Sequence, residues 1–142
     1  MEQRLSLITL GIADLARSQA FYQALGWRAL PQSNASVVFF QCGSIIFALF
    51  GREALAEDAH LAPYGEGFSG IALAHNVREK DEVDAVLTEA EAAGGKILKR
   101  GQEAVWGGFT GYFSDPDGHV WEVAWNPKGM IGPDGAFHFA SE

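Results

Sequence analysis

The sequence predicts an α+β domain made of two copies of a β-α-β-β-β unit, whose sheets join into one curved mixed sheet around a cleft. Three observations carry this prediction. Two stretches have the apolar spacing of an amphipathic helix, and each is stopped by glycine, at Gly26 and at Gly94-Gly95. Each helix follows a short apolar, β-branched run and is followed by further short runs that end in a tight hairpin. The order is the same both times, and two copies of a unit with one bare sheet face are better completed by joining the sheets than by stacking as a solenoid.

In chain order, Leu5 to Ile12 reads as a strand, and Asp14 caps a helix over Leu15 to Leu25. Phe21, Tyr22 and Leu25 share a helical face with Ser18 one turn before them, so this helix must lie on a sheet. Trp27 to Leu30 reads as a short strand ending at Pro31. Ala35 to Phe40 and Ser44 to Phe50 are two more strands, joined by a turn at Gln41-Cys42-Gly43. Residues 51–67 read as a connector with a helical turn near Glu53 to Glu57.

The second copy starts with a strand at Gly70 to Ala74. Asp81 to Ala93 follows as a helix, with Val83, Val86, Leu87 and Ala90 at i, i+3, i+4 and i+7 and two acidic residues at its positive end. Lys96 to Lys99 is a short strand. Phe109 to Ser114 and His119 to Trp125 form the last hairpin around Asp115-Pro116-Asp117-Gly118. One domain is expected over 1–127, with a first module at 5–50, the connector, a second module at 68–127 and a tail at 128–142.

The length of 142 residues with 48% hydrophobic content suits one domain with a real core. No apolar run approaches the roughly 18 residues of a membrane span, and the N-terminus lacks a secretory pattern, so a cytoplasmic protein with no membrane partner is expected. The net charge of −8 and the dispersed Arg and Lys argue against nucleic acid as a partner. Cys42 is alone and has no His near it in sequence, so it reads as a small filler beside a turn and not as a reactive thiol.

The segment Asp14 to Gly26 (DLARSQAFYQALG) and the segment Asp115 to Glu122 (DPDGHVWE) together resemble the vicinal oxygen chelate superfamily, which includes glyoxalase I, bleomycin and fosfomycin resistance proteins and extradiol dioxygenases. The first matches the family's D-L-x-R-S-x-x-F-Y-x-x-L-G start and the second its D-P-D-G-x-x-x-E signature. The resemblance covers about Leu5 to Pro127 and implies the glyoxalase/bleomycin resistance/dioxygenase fold. It also implies a dimer, in which the tail, with Phe137 and Phe139 at alternate positions, packs on a neighbour or covers its own sheet edge.

Strand alternation puts Trp121 and Val123 on a helix-packed face and Glu122 on the concave one. In metal-dependent relatives the cleft holds a divalent cation through side chains at four equivalent strand positions, which here carry Leu7, Phe47, Gly70 and Glu122. Only Glu122 is a donor, whereas a catalytic ion needs about three protein ligands. The resemblance therefore implies no metal, with a divalent ion disfavoured as a cofactor. A one-residue slip brings no imidazole in, since Ile8 and Thr9 flank Leu7, and Ser69 and Ile71 flank Gly70. His75 has the parity of the helix-packed side.

Leu7, Thr9, Phe47, Gly70, Trp106, Phe109, Tyr112 and Glu122 are the expected substrate-binding residues. Tyr112 lies three residues before Asp115, where related resistance proteins place a substrate-contacting Tyr, and on its strand it shares parity with Thr110 and Ser114. Its phenol either orients or protonates a ligand with Glu122, or simply satisfies that carboxylate, and both readings stand at this point. Trp106 sits before Gly107-Gly108 as a stacking wall, and Phe47 is expected to turn an ion position into an apolar wall. The expected function is binding of a small, partly apolar molecule. The alternative is a lyase, isomerase or dioxygenase type of enzyme, with Glu122 and Tyr112 catalytic or Glu122 as a residual metal ligand.

Overall fold

The computed structural model describes residues 1, 3, 5–69 and 71–140, and the chain divides into two compact units, residues 1–69 and 70–142. Both are α+β, each with a mixed sheet and a helix packed on it.

The first unit contains β1 (Leu7–Ile12), α1 (Leu15–Ala24), β2 (Val37–Cys42), β3 (Ile45–Gly51) and α2 (Arg52–Asp58). Its sheet has the order β1-β3-β2, with β1 parallel and β2 antiparallel to the central β3. The Asp14 carboxylate accepts the Arg17 N–H at 3.0 Å and caps α1. At the far end the chain turns through Gly26, whose φ of 91° lies in the left-handed region, and the Trp27 N–H bonds back to the Tyr22 carbonyl at 3.1 Å. The helix buries Ser18, Phe21 and Tyr22. Its packing on the sheet is aromatic: the Tyr22 ring lies 4.9 Å from Phe47 and 6.0 Å from Phe40, and Trp27 lies 5.3 Å and 5.6 Å from the same two rings.

Two expectations change in this unit. The strand expected at Trp27 to Leu30 is reduced to one bridge, between Ala29 and Phe40. The Phe39 N–H is taken by the Ser33 hydroxyl at 2.9 Å, and Pro31 has no N–H to offer, so the ladder stops there. Phe47 is also not a wall of the concave face. It is 3% exposed and pairs across the sheet with Ile8 and Phe40 on the side of α1. The concave position expected for Phe47 requires the two hairpin turns to be equal in length. The first turn places Gly43 and Ser44 between the paired Cys42 and Ile45, whereas the second places Asp115 to His119 between Ser114 and Val120. That difference is odd, and an odd offset moves every side chain to the other face.

The second unit contains β4 (Ala72–Asn76), α3 (Glu82–Ala92), β5 (Lys96–Glu103), β6 (Phe109–Ser114), β7 (Val120–Trp125), β8 (Gly129–Ile131) and β9 (Phe137–Phe139). The main sheet has the order β4-β7-β6-β5, with β4 parallel to β7. The stripe Val83, Leu87 and Ala90 on α3 is completely buried. Gly111 lets the helix approach, because a Cβ there would lie 2.5 Å from Leu87 Cδ1 and 2.9 Å from the Lys99 carbonyl oxygen. On the same side Phe113 and Trp121 stack with centroids 6.0 Å apart. The β6-β7 turn is held by the buried Asp115, whose carboxylate accepts the N–H groups of Asp117 and His119, each at 2.9 Å.

β5 runs four residues beyond the strand expected at Lys96 to Lys99 and is irregular, with register shifts on either side of Lys99. The tail folds into a hairpin of its own, β8 against β9, in which Phe137 and Phe139 meet edge to face at 5.1 Å.

The packing of Phe47 leads to a stability prediction. Phe47→Ala should lower the unfolding free energy by about 3–5 kcal/mol in a urea titration, as for other buried phenylalanines. A loss near zero would mean that the ring lines a binding surface and not the core.

Candidate functional site

Each sheet turns one face to its helix and one away from it, and the register shows which residues share the outward face. In the first unit, Leu7, Ile46 and Gln41 form one row across β1, β3 and β2, and Thr9, Ala48 and Phe39 form the next. Leu7, Ile46, Phe39 and Gln41, joined by Leu30 and Gln32, line a shallow, mostly apolar depression of about 400 Å³. Leu7 and Thr9 are thus on the face where the sequence placed them. Ile46 and Phe39 are large apolar residues on this face, and Phe47 is on the other.

In the second unit the outward face is a regular grid. One row is Ala74, Glu122, Tyr112 and Lys99, running from β4 through β7 and β6 to β5. The rows on either side are Ala72, Val120, Ser114 and Lys96, and Asn76, Ala124, Thr110 and Gln102. Tyr112 and Glu122 are therefore direct cross-strand neighbours, both part-buried. Burial first, and the Glu122 charge second, push the Tyr112 phenol above its ordinary pKa, so it stays a hydrogen-bond donor at neutral pH. Among the described residues of this unit, no side chain hydrogen-bonds the Glu122 carboxylate.

Trp106 lies in the β5-β6 turn, closed by the Ala104 N–H to the Gly108 carbonyl at 2.8 Å and the Gly107 N–H to the Ala104 carbonyl at 2.9 Å. Its ring folds onto Gly108, where a Cβ would come within 1.9 Å of the indole, and Gly108 has the parity of Thr110 and Tyr112. Trp106 is 44% exposed, which leaves ring surface free. Phe109 is a correction. It pairs with Glu103 and Trp125 on the side of α3, the Lys80 ammonium sits 5.0 Å from its ring centroid, and Lys80 also pairs with Glu103. Strict alternation from Tyr112 sends Phe109 to that side. Gly70 lies outside the described residues.

Lys99 was missed in the sequence. Counted by alternation from Ile97, it belongs with the α3 side. The register shift between Ile97 and Lys99 turns it instead onto the face of Tyr112, with its ammonium 5.7 Å from the phenol ring centroid.

His75 pairs with Val123 on the α3 side, and burial there lowers its pKa against the opposing pull of Glu89 and Glu82. Burial raises the pKa of Cys42, which makes it a poor nucleophile. Among the described residues, no three His, Cys, Asp or Glu side chains gather as a metal-holding group. Of the positions that the resemblance pointed to, Leu7 offers no lone pair, Phe47 faces the helix and Glu122 carries a carboxylate. No helix among the described residues is long and apolar enough to cross a membrane.

A β-α-β-β unit followed by a β-α-β-β-β unit, with a carboxylate and a phenol paired on the sheet face away from the helix, defines a class of small α+β proteins. The family model described as Glyoxalase/Bleomycin resistance protein/Dioxygenase superfamily matches residues 4–123, and the chain belongs to that superfamily. A solved glyoxalase-related enzyme from Fulvimarina pelagi is 39% identical, with 99% of this chain and 100% of that one covered and a TM-score of 0.89. A glyoxalase/bleomycin resistance protein/dioxygenase family enzyme from Burkholderia phytofirmans is 23% identical, covering 84% and 96%, with a TM-score of 0.74. A lactoylglutathione lyase from Agrobacterium tumefaciens is 24% identical, covering 89% and 96%, with a TM-score of 0.66. These last two share the fold. No curated protein matches the sequence.

The pairing of Tyr112 with Glu122 can be read by titration. In an alkaline difference spectrum of wild type against Tyr112→Phe, the Tyr112 phenol should ionise above the ordinary value. Glu122→Gln should bring it part of the way down, since burial, the larger cause, remains. An unchanged midpoint in Glu122→Gln would show that the two groups do not interact.

Proposed function

We propose that this chain binds a small, partly apolar molecule on the outward face of the second unit's sheet, without a metal. The direct pairing of Tyr112 with Glu122 carries the reading, because it puts a donor and an acceptor side by side on a face whose two central strands otherwise present Val, Ala, Ser and Thr. Such a surface suits a ligand with one polar handle, and Trp106 supplies an aromatic wall at the end of β6.

The test is a screen of the purified protein against aryl aldehydes, ketones and carboxylic acids by calorimetry and tryptophan fluorescence. Saturable binding is expected, weakened about five- to tenfold in Trp106→Ala, as for an aromatic contact of about 1 kcal/mol. Binding unaffected by Trp106→Ala, Tyr112→Phe and Glu122→Gln alike would remove the ligand from this face.

The same pairing also favours a second reading, an enzyme with Glu122 as general base and Tyr112 as proton donor. The description of the 39% identical relative as an enzyme adds weight to it. In that case Glu122→Gln should cut turnover by about 10²–10⁴ while ligand affinity stays within a few fold. Equal losses of affinity and turnover would return the carboxylate to a binding role.

A further inference from the structure

The irregularity in β5 gives the Glu122 face a feature that strand alternation alone would not. From Lys96 to Lys99 the strand advances three residues while β6 advances two, from Ser114 to Tyr112, and the same happens again between Lys99 and Gln102. The first shift carries Lys99 across the sheet, and the second restores the pattern, so that Gln102 faces outward and Glu103 faces α3. Gly101 is tied into this bend by the Asp84 carboxylate, which accepts its N–H at 3.0 Å, and a Cβ there would strike the Phe109 ring at 2.4 Å. The bulge is thus fixed from the α3 side, while its effect appears on the other. Irregularities of this kind re-aim side chains and are enriched beside functional sites.

The result is a row with a cation at one end, a phenol beside it and a carboxylate beyond. Adjacent strands are about 4.8 Å apart, so the Lys99 and Glu122 backbones are roughly 10 Å apart, near the screening length at physiological salt. Lys99 is exposed, and its ammonium rests over the Tyr112 ring, so donors remain free to meet a ligand at the level of the phenol.

We propose that Lys99 selects ligands bearing a single carboxylate, held between its ammonium and the Tyr112 hydroxyl, with the rest of the ligand extending over Tyr112 toward Glu122. One ammonium and one neutral donor balance one negative charge. A dianionic phosphate would keep an uncompensated charge facing Glu122. This inference rests on the binding reading above and adds the chemical class of the ligand to it.

The probes are 3-phenylpropionate and its uncharged methyl ester, titrated by calorimetry into wild type, Lys99→Gln and Lys96→Gln. Lys96 is the control, since it lies one row away and its replacement changes net charge equally. Wild type should prefer the acid by about five- to tenfold, the size of a partly exposed ion pair strengthened by one charged hydrogen bond. Lys99→Gln should bring the two probes within twofold of each other without changing affinity for the ester, which also shows that the variant is folded. Lys96→Gln should keep the preference, and raising the salt concentration should reduce it in wild type. Equal binding of acid and ester to wild type overturns the role of Lys99 and leaves the binding reading standing. A preference that survives in Lys99→Gln, or that is lost equally in Lys96→Gln, also overturns it. Binding of neither probe at about 10 mM counts against both the class of ligand and the binding face.

Discussion

The seating of each helix on its sheet decides everything else about the two faces. Once Tyr22 and Trp27 close over Phe40 and Phe47, and Leu87 closes over Gly111, alternation along each uninterrupted strand fixes which residues point away. The core side is aromatic in the first unit, and in the second it combines an aliphatic helix stripe with the Phe113 and Trp121 stack. Burying a large side chain is worth about 1.5–3 kcal/mol, so a slip of one residue in any strand would forfeit several such contacts at once. The outward rows inherit that precision. Glu122 and Tyr112 face outward because Trp121, Val123 and Phe113 cannot.

Much of this was readable in advance. The Asp14 cap, the Gly26 and Gly94 stops and the Asp115 turn are local motifs whose residues fix their own geometry, and each is found where the sequence put it. The opposite facing of Trp121 and Glu122 also followed from alternation within one uninterrupted strand. What could not be read depended on counts between strands. The parity of Phe47 depends on the length of a turn compared with its distant counterpart, and the position of Lys99 depends on a bulge that no residue of β5 announces by itself. Gly101 was a partial signal, since a lone glycine inside a strand often marks a bulge. The Ser33 hydroxyl that caps the Phe39 N–H, and so removes a strand, is a tertiary choice made by a residue that looked like ordinary loop.

The two faces differ in a way that bears on chemistry. The depression on the first unit's outward side is apolar around Leu7, Leu30, Phe39 and Ile46, with Gln32 and Gln41 as its polar lining. The second carries a carboxylate, a phenol, hydroxyls and lysines. The two outward faces thus differ in chemistry, and membership of the superfamily defines the scaffold and not the ligand.

The bulge in β5 has one more consequence. β5 is the outermost strand of its sheet, and an outer strand with free N–H and C=O groups invites another chain to extend it. A regular, apolar strand there would be a template for self-association. Two register breaks, with Lys96, Lys99 and Arg100 along the rim, make the border ragged and charged, so the distortion that turns Lys99 also makes the strand a poor template for another chain.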